Sequence, residues 1–404
     1  MRKMPFTLST RGLLLLTSAV SASLLVACGG SSSSASTGTL KLAMTDSPGC
    51  GYDHVYVTVT KIRVHQSASA ASAASTDSGW REITVASPQK IDLLSLTNGA
   101  LQELGQLPLP AGRYEQVRLV LSGDALANSL VLSGTSNEIE LRTPSAQQSG
   151  YKLQAHFDVT GNQVADMVLD FDACKSIVRA GNSGNYNLKP VVAVTKRLTT
   201  QIEGYVDPAI ASGVVVSTRD PDMQLRATVP DSTTGRFVIA YLPENTNYTV
   251  VISGTGRTTA AITGVPVSVA MGSTQVNTAT SPIAPPASPT AQVTGWVSDG
   301  SATPLTGASV NAQQALSTLQ AIDVAWGNVD PDNAAYRLTL PLAAPIKASY
   351  AGQGGALSFI TDSVTPGLYK VYGTAEGYTT QTTDPSITLG TAGSTSTKDL
   401  VLAP

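Results

Sequence analysis

Over the first third of the chain, apolar residues fall at alternate positions rather than at helical spacing. Val55, Val57 and Val59 share one face of a segment whose other face carries Tyr56 and Thr58, the pattern of a half-buried strand. After Thr60 and Lys61 the apolar set moves to Ile62 and Val64, a slip of one residue that predicts a β-bulge near Thr60–Lys61. Residues 80–85 and 114–121 resume strand patterning, the latter with Val117, Leu119 and Leu121 inward and Gln116 and Arg118 outward. Residues 165–172 alternate again, with Met167, Leu169 and Phe171 on a core face, and residues 188–194 close this region. Between these strands, residues 66–78 are Ala/Ser-rich and read as a long loop. Residues 91–104 are Leu-rich at near-helical spacing and read as one short helix or a buried loop.

Further along, Ile202-Glu203-Gly204-Tyr205-Val206 recurs as Val293-Thr294-Gly295-Trp296-Val297, an offset of 91 residues. Each copy opens a module whose size and turn spacing suit an immunoglobulin-like sandwich. The first module contains Gly235-Arg236-Phe237-Val238-Ile239. Its counterpart in the second lies in residues 336–350 or 359–371; the later register is preferred, which makes about residues 311–350 an insertion or an added edge. Tyr114, Tyr248 and Tyr369 follow turn residues at matching places and read as structural tyrosines near strand starts. The Pro-rich stretch 281–290 reads as a stiff, extended linker. The predicted organisation is all-β, with a first domain over 39–198 and tandem sandwiches over 199–280 and 291–404.

Composition sharpens this picture. Charged residues are 13% of the chain, about half the share in an average soluble domain, and 25 Lys+Arg stand against 28 Asp+Glu with no basic run. That excludes the basic profile of a nucleic-acid binder. The N-terminus changes the compartment: Arg2, Lys3 and Arg11 precede a short apolar run over 12–27, the shape of a cleaved signal. Leu25-Val26-Ala27-Cys28 resembles the bacterial lipoprotein box, which makes 1–27 the signal peptide, Cys28 the lipidated residue and 28–38 a Ser/Gly tether. Gly29 after that cysteine points, by the same resemblance, to outer-membrane rather than inner-membrane sorting. With Cys28 lipidated, Cys50 and Cys174 remain as a pair, and in an oxidising periplasm they predict a disulfide. Such a bond would close a loop of about 125 residues and stabilise by roughly 4–5 kcal/mol. A zinc site is the rival, weakened by the absence of any CxxC.

Several motifs in order carry a family resemblance. Thr45-Asp46-Ser47-Pro48, the strand over 55–64, Leu109-Pro110-Ala111-Gly112-Arg113-Tyr114, Leu169-Asp170-Phe171-Asp172-Ala173-Cys174-Lys175-Ser176 and Leu188-Lys189-Pro190-Val191 are similar to the bacterial lipoproteins built on the domain of unknown function 4382. The resemblance covers about 39–198 and implies a β-sandwich and an envelope location, with no reaction attached. The two later modules resemble carboxypeptidase-regulatory-like domains, small sandwiches of the transthyretin type, which implies spacer or packing modules.

Candidate chemistry is sparse. The sequence holds no HExxH, GxSxG or CxxC and no phosphate-binding glycine loop. His54 and His65 stand at the ends of one predicted strand, about 36 Å apart, too far to share a metal. Asp166, Asp170 and Asp172 share one strand face. If Cys50 and Cys174 are bonded, Asp46 joins that strand end, and Asp46, Asp170 and Asp172 could offer oxygens to Ca²⁺. The plainer reading, that they cap turns or pair with Arg118, Lys175 or Lys189, carries more weight. The sequences Asp330-Pro331-Asp332-Asn333 and Asp220-Pro221-Asp222 read as Asp-Pro turns, and Trp80, Trp296 and Trp326 as core residues, one to a domain. The sum is a non-enzymatic protein held to the outer membrane through Cys28, with a binding or structural role and a protein or glycan as partner. The alternative is a carbohydrate- or peptide-binding component of an adhesion or uptake system, and behind it a metal-dependent enzyme using the aspartate cluster.

Overall fold

Thr37–Ser47 has Leu40, Leu42 and Met44 at alternate positions, and the whole first domain is built on this strand. In the computed structural model, which describes residues 36–47, 52–70, 79–85, 87–143, 149–180, 183–330, 332–375, 377–382 and 386–404, it lies inside a four-stranded sheet. Val164–Asp172 pairs with it in parallel and Gln102–Pro110 antiparallel, and Val192–Lys196 flanks Val164–Asp172. The facing nine-stranded sheet is organised on Tyr52–His65 and Gly112–Leu121. Leu40, Leu42, Met44, Met167, Leu169 and Phe171 from one sheet meet Val55, Val57, Ile62, Val64, Val117 and Leu119 from the other in one core. The register between Tyr52–His65 and Gly112–Leu121 shifts between Val59 and Lys61, the bulge that the slip in hydrophobic phase predicts. The Leu-rich stretch divides into a short strand, Lys90–Asp92, a 3-10 turn at Leu93–Leu96 and the strand Gln102–Pro110.

The lipoprotein signal, Cys28 and most of the tether lie outside the described residues, as does Cys50. The expected Cys50–Cys174 disulfide is corrected: the described residues contain no disulfide bond. The tie between the start and end of the domain is carried by backbone hydrogen bonds instead, since Thr39 to Ser47 run in parallel register against Val164 to Asp172.

The two later domains have the same topology. Gln201–Tyr205 pairs antiparallel with Arg236–Ala240 and parallel with Ser273–Gln275; Thr290–Asp299 does the same with Ala335–Pro341 and Thr395–Thr397. The opposing sheets run Leu225–Thr228, Val214–Arg219, Asn245–Gly254, Ala260–Val267 in one and Ala321–Asn328, Ser309–Ala315, Leu368–Thr374, Gln381–Thr382 in the other. The repeated glycine is dictated by contact: a Cβ on Gly204 would stand 2.7 Å from the Phe237 ring, and one on Gly295 would stand 2.0 Å from the Lys398 carbonyl oxygen and 2.9 Å from the Tyr336 ring. Phe237 and Tyr336 are thus equivalent, which corrects the preferred register: the counterpart of 235–239 is the earlier segment.

The inserted segment is therefore 343–366, and it does not stay with its own domain. Ile346–Ser349 adds in parallel to Ala260–Val267 of the second domain, followed by Ile360–Thr361, while Tyr350, Leu357 and Phe359 pack on that domain's core. Nor is the proline-rich stretch a free spacer. Ile283 is buried and donates its N–H to the Tyr205 carbonyl, and the Thr258 N–H donates to the Pro286 carbonyl.

Each domain carries one fully buried tyrosine that donates to a proline carbonyl: Tyr114 to Pro110 at 3.1 Å, Tyr248 to Pro243 at 2.8 Å and Tyr369 to Pro341 at 2.6 Å. In the third domain the pair is 28 residues apart because the inserted segment leaves and returns between them. A buried phenol matched to one carbonyl is lost cleanly by Tyr248→Phe. That change is expected to lower unfolding free energy by about 1–2 kcal/mol in denaturant titrations, with the far-UV circular dichroism unchanged.

Candidate functional site at the junction of the three domains

The strand Thr37–Ser47 ends in Thr45, Asp46 and Ser47, opposite Asp170, Phe171 and Asp172 in turn. Because successive side chains alternate, Asp46 follows Leu40, Leu42 and Met44 to the core side with Phe171, and Asp170 and Asp172 point to the other. Asp46 is 4% exposed. One carboxylate oxygen accepts from the Ala173 N–H at 3.2 Å, and the other has no hydrogen-bond partner among the described residues. Burial, reinforced by Asp172 and Asp170, raises its pKa well above the ordinary aspartate range, against the Ala173 N–H. Asp46 therefore keeps its proton to a higher pH than an ordinary aspartate does.

The other two aspartates face outward and are engaged by cations. Asp170 accepts from Arg226 of the second domain at 2.9 Å, and Arg226 also holds Asp220 at 3.2 Å. Asp172 caps the one-turn helix Ala173–Ser176 through the Lys175 N–H and pairs with the Lys175 amine at 2.8 Å. That amine lies over the Trp326 ring of the third domain, 5.4 Å from its centre, and the Lys175 carbonyl accepts from Asn328. Among the described residues no group of three or more His, Cys, Asp or Glu is placed to hold a metal ion. The three aspartates do lie near one another at the corner where three domains meet, Asp170 held by a guanidinium and Asp172 by an ammonium.

Around this corner other residues fasten the domains. The Asn98 side chain accepts from the Val238 N–H at 2.8 Å, and Tyr241 donates to the Gly99 carbonyl at 2.7 Å. Arg219 forks onto both oxygens of Asp323 in the third domain at 2.6 Å each. Burial would raise the Asp323 carboxyl, and the Arg219 guanidinium, with Asn311 and Gln313, outweighs it and holds the pKa below the ordinary range. Sequence reading missed Arg219, Arg226 and Asp323. Their periodicity marks a strand face, and nothing local marks the partner.

The Asp-Pro turns hold: Asp330 accepts from the Asp332 and Asn333 N–H groups, and Asp220 from those of Asp222 and Gln224. None of the three tryptophans takes its expected core position: Trp80 and Trp326 are half-buried, and Trp296 stands 52% exposed on the outer face of Thr290–Asp299. A cleft of about 600 Å³ lies between the first and third domains, with Tyr151, Lys189, Pro190, Leu305 and Tyr378 on its walls. Its one amine, Lys189, is held by the Thr306 carbonyl at 2.8 Å, and burial lowers its pKa. No helix among the described residues is long and apolar enough to cross a membrane.

With this geometry in view, residues 37–190 match the family described as Domain of unknown function (DUF4382). The first domain is a DUF4382 domain. The rest of the chain is β-sandwich-like, outside that match. No curated protein matches the chain. Among solved structures it is similar to the Bacillus anthracis TIE protein, with 12% identity over 91% of this chain and 51% of that one at a TM-score of 0.20. It is also similar to a point mutant of Acinetobacter radioresistens catechol 1,2 dioxygenase, with 16% identity over 29% and 52% at 0.18. A Streptococcal ancillary pilin gives 12% identity over 90% and 99% at 0.17. The chain thus spans about half the length of the first two, and TM-scores of this size carry no argument about fold or function.

The buried acid at the end of the DUF4382 domain's central strand has a measurable consequence. Folded protein holds the Asp46 proton where unfolded chain releases it, so stability falls as pH rises from about 4, the ordinary aspartate pKa, towards the raised one. Melting temperatures followed upward from about pH 4 should show that decline in the wild type. In Asp46→Asn, which cannot ionise, the decline should be absent.

Proposed function

We propose that this chain is a non-enzymatic, lipid-anchored cell-envelope protein with a structural or binding role. Cys28 would be its membrane attachment and the DUF4382 domain with two carboxypeptidase-regulatory-like sandwiches its working body. The observation that carries this reading is the use made of buried charge. In a chain of low charge, Arg226 and Arg219 are committed to carboxylates across domain boundaries, and the inserted segment of the third domain completes a sheet of the second. These contacts favour one rigid body, which suits a stand-off scaffold. Among the described residues that line the first–third cleft, the one amine, Lys189, is bound to a carbonyl.

A second reading, a carbohydrate- or peptide-binding component of an adhesion or uptake system, is favoured by exposed Trp296 and by the tyrosine- and proline-walled cleft. Cys28→Ala is expected to release the protein from the membrane fraction; a variant that still sediments with membranes would refute the anchor. Protease shaving of intact and permeabilised cells then sorts the roles. Cleavage in intact cells fits adhesion or capture at the surface, and cleavage only after permeabilisation fits a periplasmic scaffold.

A further inference from the structure

The second and third domains repeat one hairpin, with an unusual residue at its tip in both copies. Val214–Arg219 turns into Leu225–Thr228 through Asp220 to Gln224, and Ser309–Ala315 turns into Ala321–Asn328 through Leu316 to Gln320. The first turn closes with the Asp220 N–H on the Gln224 carbonyl and the Met223 N–H on the Asp220 carbonyl. The second closes in the same way, with the Leu316 N–H on the Gln320 carbonyl and the Leu319 N–H on the Leu316 carbonyl. Met223 and Leu319 are therefore equivalent, and both are left-handed, with φ at 62° and 67°. Turns of this shape call for glycine there, because a Cβ is strained at positive φ. Both side chains are nonetheless large, apolar and turned to solvent, Met223 at 65% exposure and Leu319 at 89%. One such residue is an ordinary surface feature. The same residue type, strained and exposed in both copies, points to contact with something outside the chain.

Both tips flank one cleft of about 380 Å³ at the junction of the two domains: Met223 lines it from the second, and Gln320, next to Leu319, from the third. That volume is in the range of ligand pockets, about 300–1,000 Å³. Ser217, also on its wall, shares the strand face of Arg219, towards the third domain. It is fully buried, and its hydroxyl has no hydrogen-bond partner among the described residues. The side-chain amides of Asn245, Asn247 and Gln320 stand around it. The charges of the cleft are closed on one another. Arg219 forks onto Asp323, and Asp220 accepts from Arg226 and from the N–H groups of its own turn. No aromatic ring is among the described residues that line it.

We infer that the two hairpin tips and the cleft beside them form a binding site for an extended, uncharged peptide segment with apolar side chains. Met223 and Leu319 each offer an apolar surface on which such a side chain seats, and the unbranched thioether adapts to varied partners. A carboxamide carries both a donor and an acceptor, as the peptide group does, so Asn245, Asn247 and Gln320 match a main chain running beside them. With arginine and aspartate already paired, a charged ligand finds no free counter-charge and loses its hydration for nothing. With no aromatic wall, a sugar ring finds no platform. The buried hydroxyl and the amides between the tips set the site apart from a patch made to enter a lipid surface. This inference rests on the peptide-binding reading, gives it a place and is independent of the lipid anchor.

The test is binding of the full chain to an array of short, capped, uncharged peptides in which Leu, Ile, Val, Phe or Met alternate with Ser, Thr or Gln. Neutral dextran and phosphatidylcholine vesicles serve as comparisons, and the strongest peptides are then titrated in solution. Wild type is expected to bind a subset of the peptides, to hold that affinity as salt is raised, and to ignore dextran and vesicles. Met223→Gly and Leu319→Gly should each weaken binding by about tenfold or more. Their melting temperatures should stay level or rise, because glycine relieves the left-handed strain. Leu126→Gly, the same change at a left-handed position of the first domain, should bind as wild type. Peptide binding undiminished in both tip variants would overturn this site and leave the peptide reading standing. A wild type that binds none of the peptides, or binds only dextran or only vesicles, would overturn the site and the peptide reading together.

Discussion

A guanidinium taken out of water must find a carboxylate or a dense set of carbonyls, and the arrangement of this protein depends on where two of them find theirs. Arg226 reaches back to Asp170 of the first domain, and Arg219 reaches forward to Asp323 of the third. Removing one partner of such a pair strands a buried charge at a cost of about 3–5 kcal/mol. Sliding one domain past another would strand several at once. Orientation is therefore set by charge, and apolar contact fills in behind it: Val251 and Ala261 of the second domain belong to the core of the third.

The donated strand makes the same coupling through the backbone. Ala260–Val267 would be the edge of the second domain's sheet, an open row of peptide groups, had Ile346–Ser349 not covered it. The inserted segment leaves and re-enters the third domain on either side of the tyrosine–proline contact, between Pro341 and Tyr369. Placed there, it lengthens one connection without disturbing either sheet, because a closed hydrogen bond holds the two ends of the excursion together. Buried Asp362, paired with Lys347 at 2.7 Å and accepting from Ser317, then fastens the segment to a neighbouring turn of its own domain.

Asp46 shows how one position changes meaning with register. As a residue in a list of aspartates it belongs with Asp170 and Asp172. Parallel pairing puts it opposite Phe171, so its side chain shares the core face, where charge is disfavoured and a proton is retained. The outward pair became contacts between domains, while Asp46 became an internal acid, one of whose oxygens meets no hydrogen-bond partner among the described residues.

What the sequence determined by itself is local. Alternation gave the strands, a single slip of phase gave the bulge at Val59–Lys61, the repeated glycine marked two copies of one sandwich, and three tyrosines after turns marked three equivalent contacts. These are legible because each follows from the period of a strand or the space beside one atom. The strand Thr37–Ser47 also carried its signal in Leu40, Leu42 and Met44, although the strand was not among those expected. Only the tertiary structure decided the rest: which carboxylate Arg226 and Arg219 would meet, that residues 346–349 would join another domain's sheet, and that the turns carrying Met223 and Leu319 would flank one cleft. Periodicity says which way a side chain faces, and the partner it faces is chosen by pairings between segments tens to more than a hundred residues apart, which no local pattern encodes.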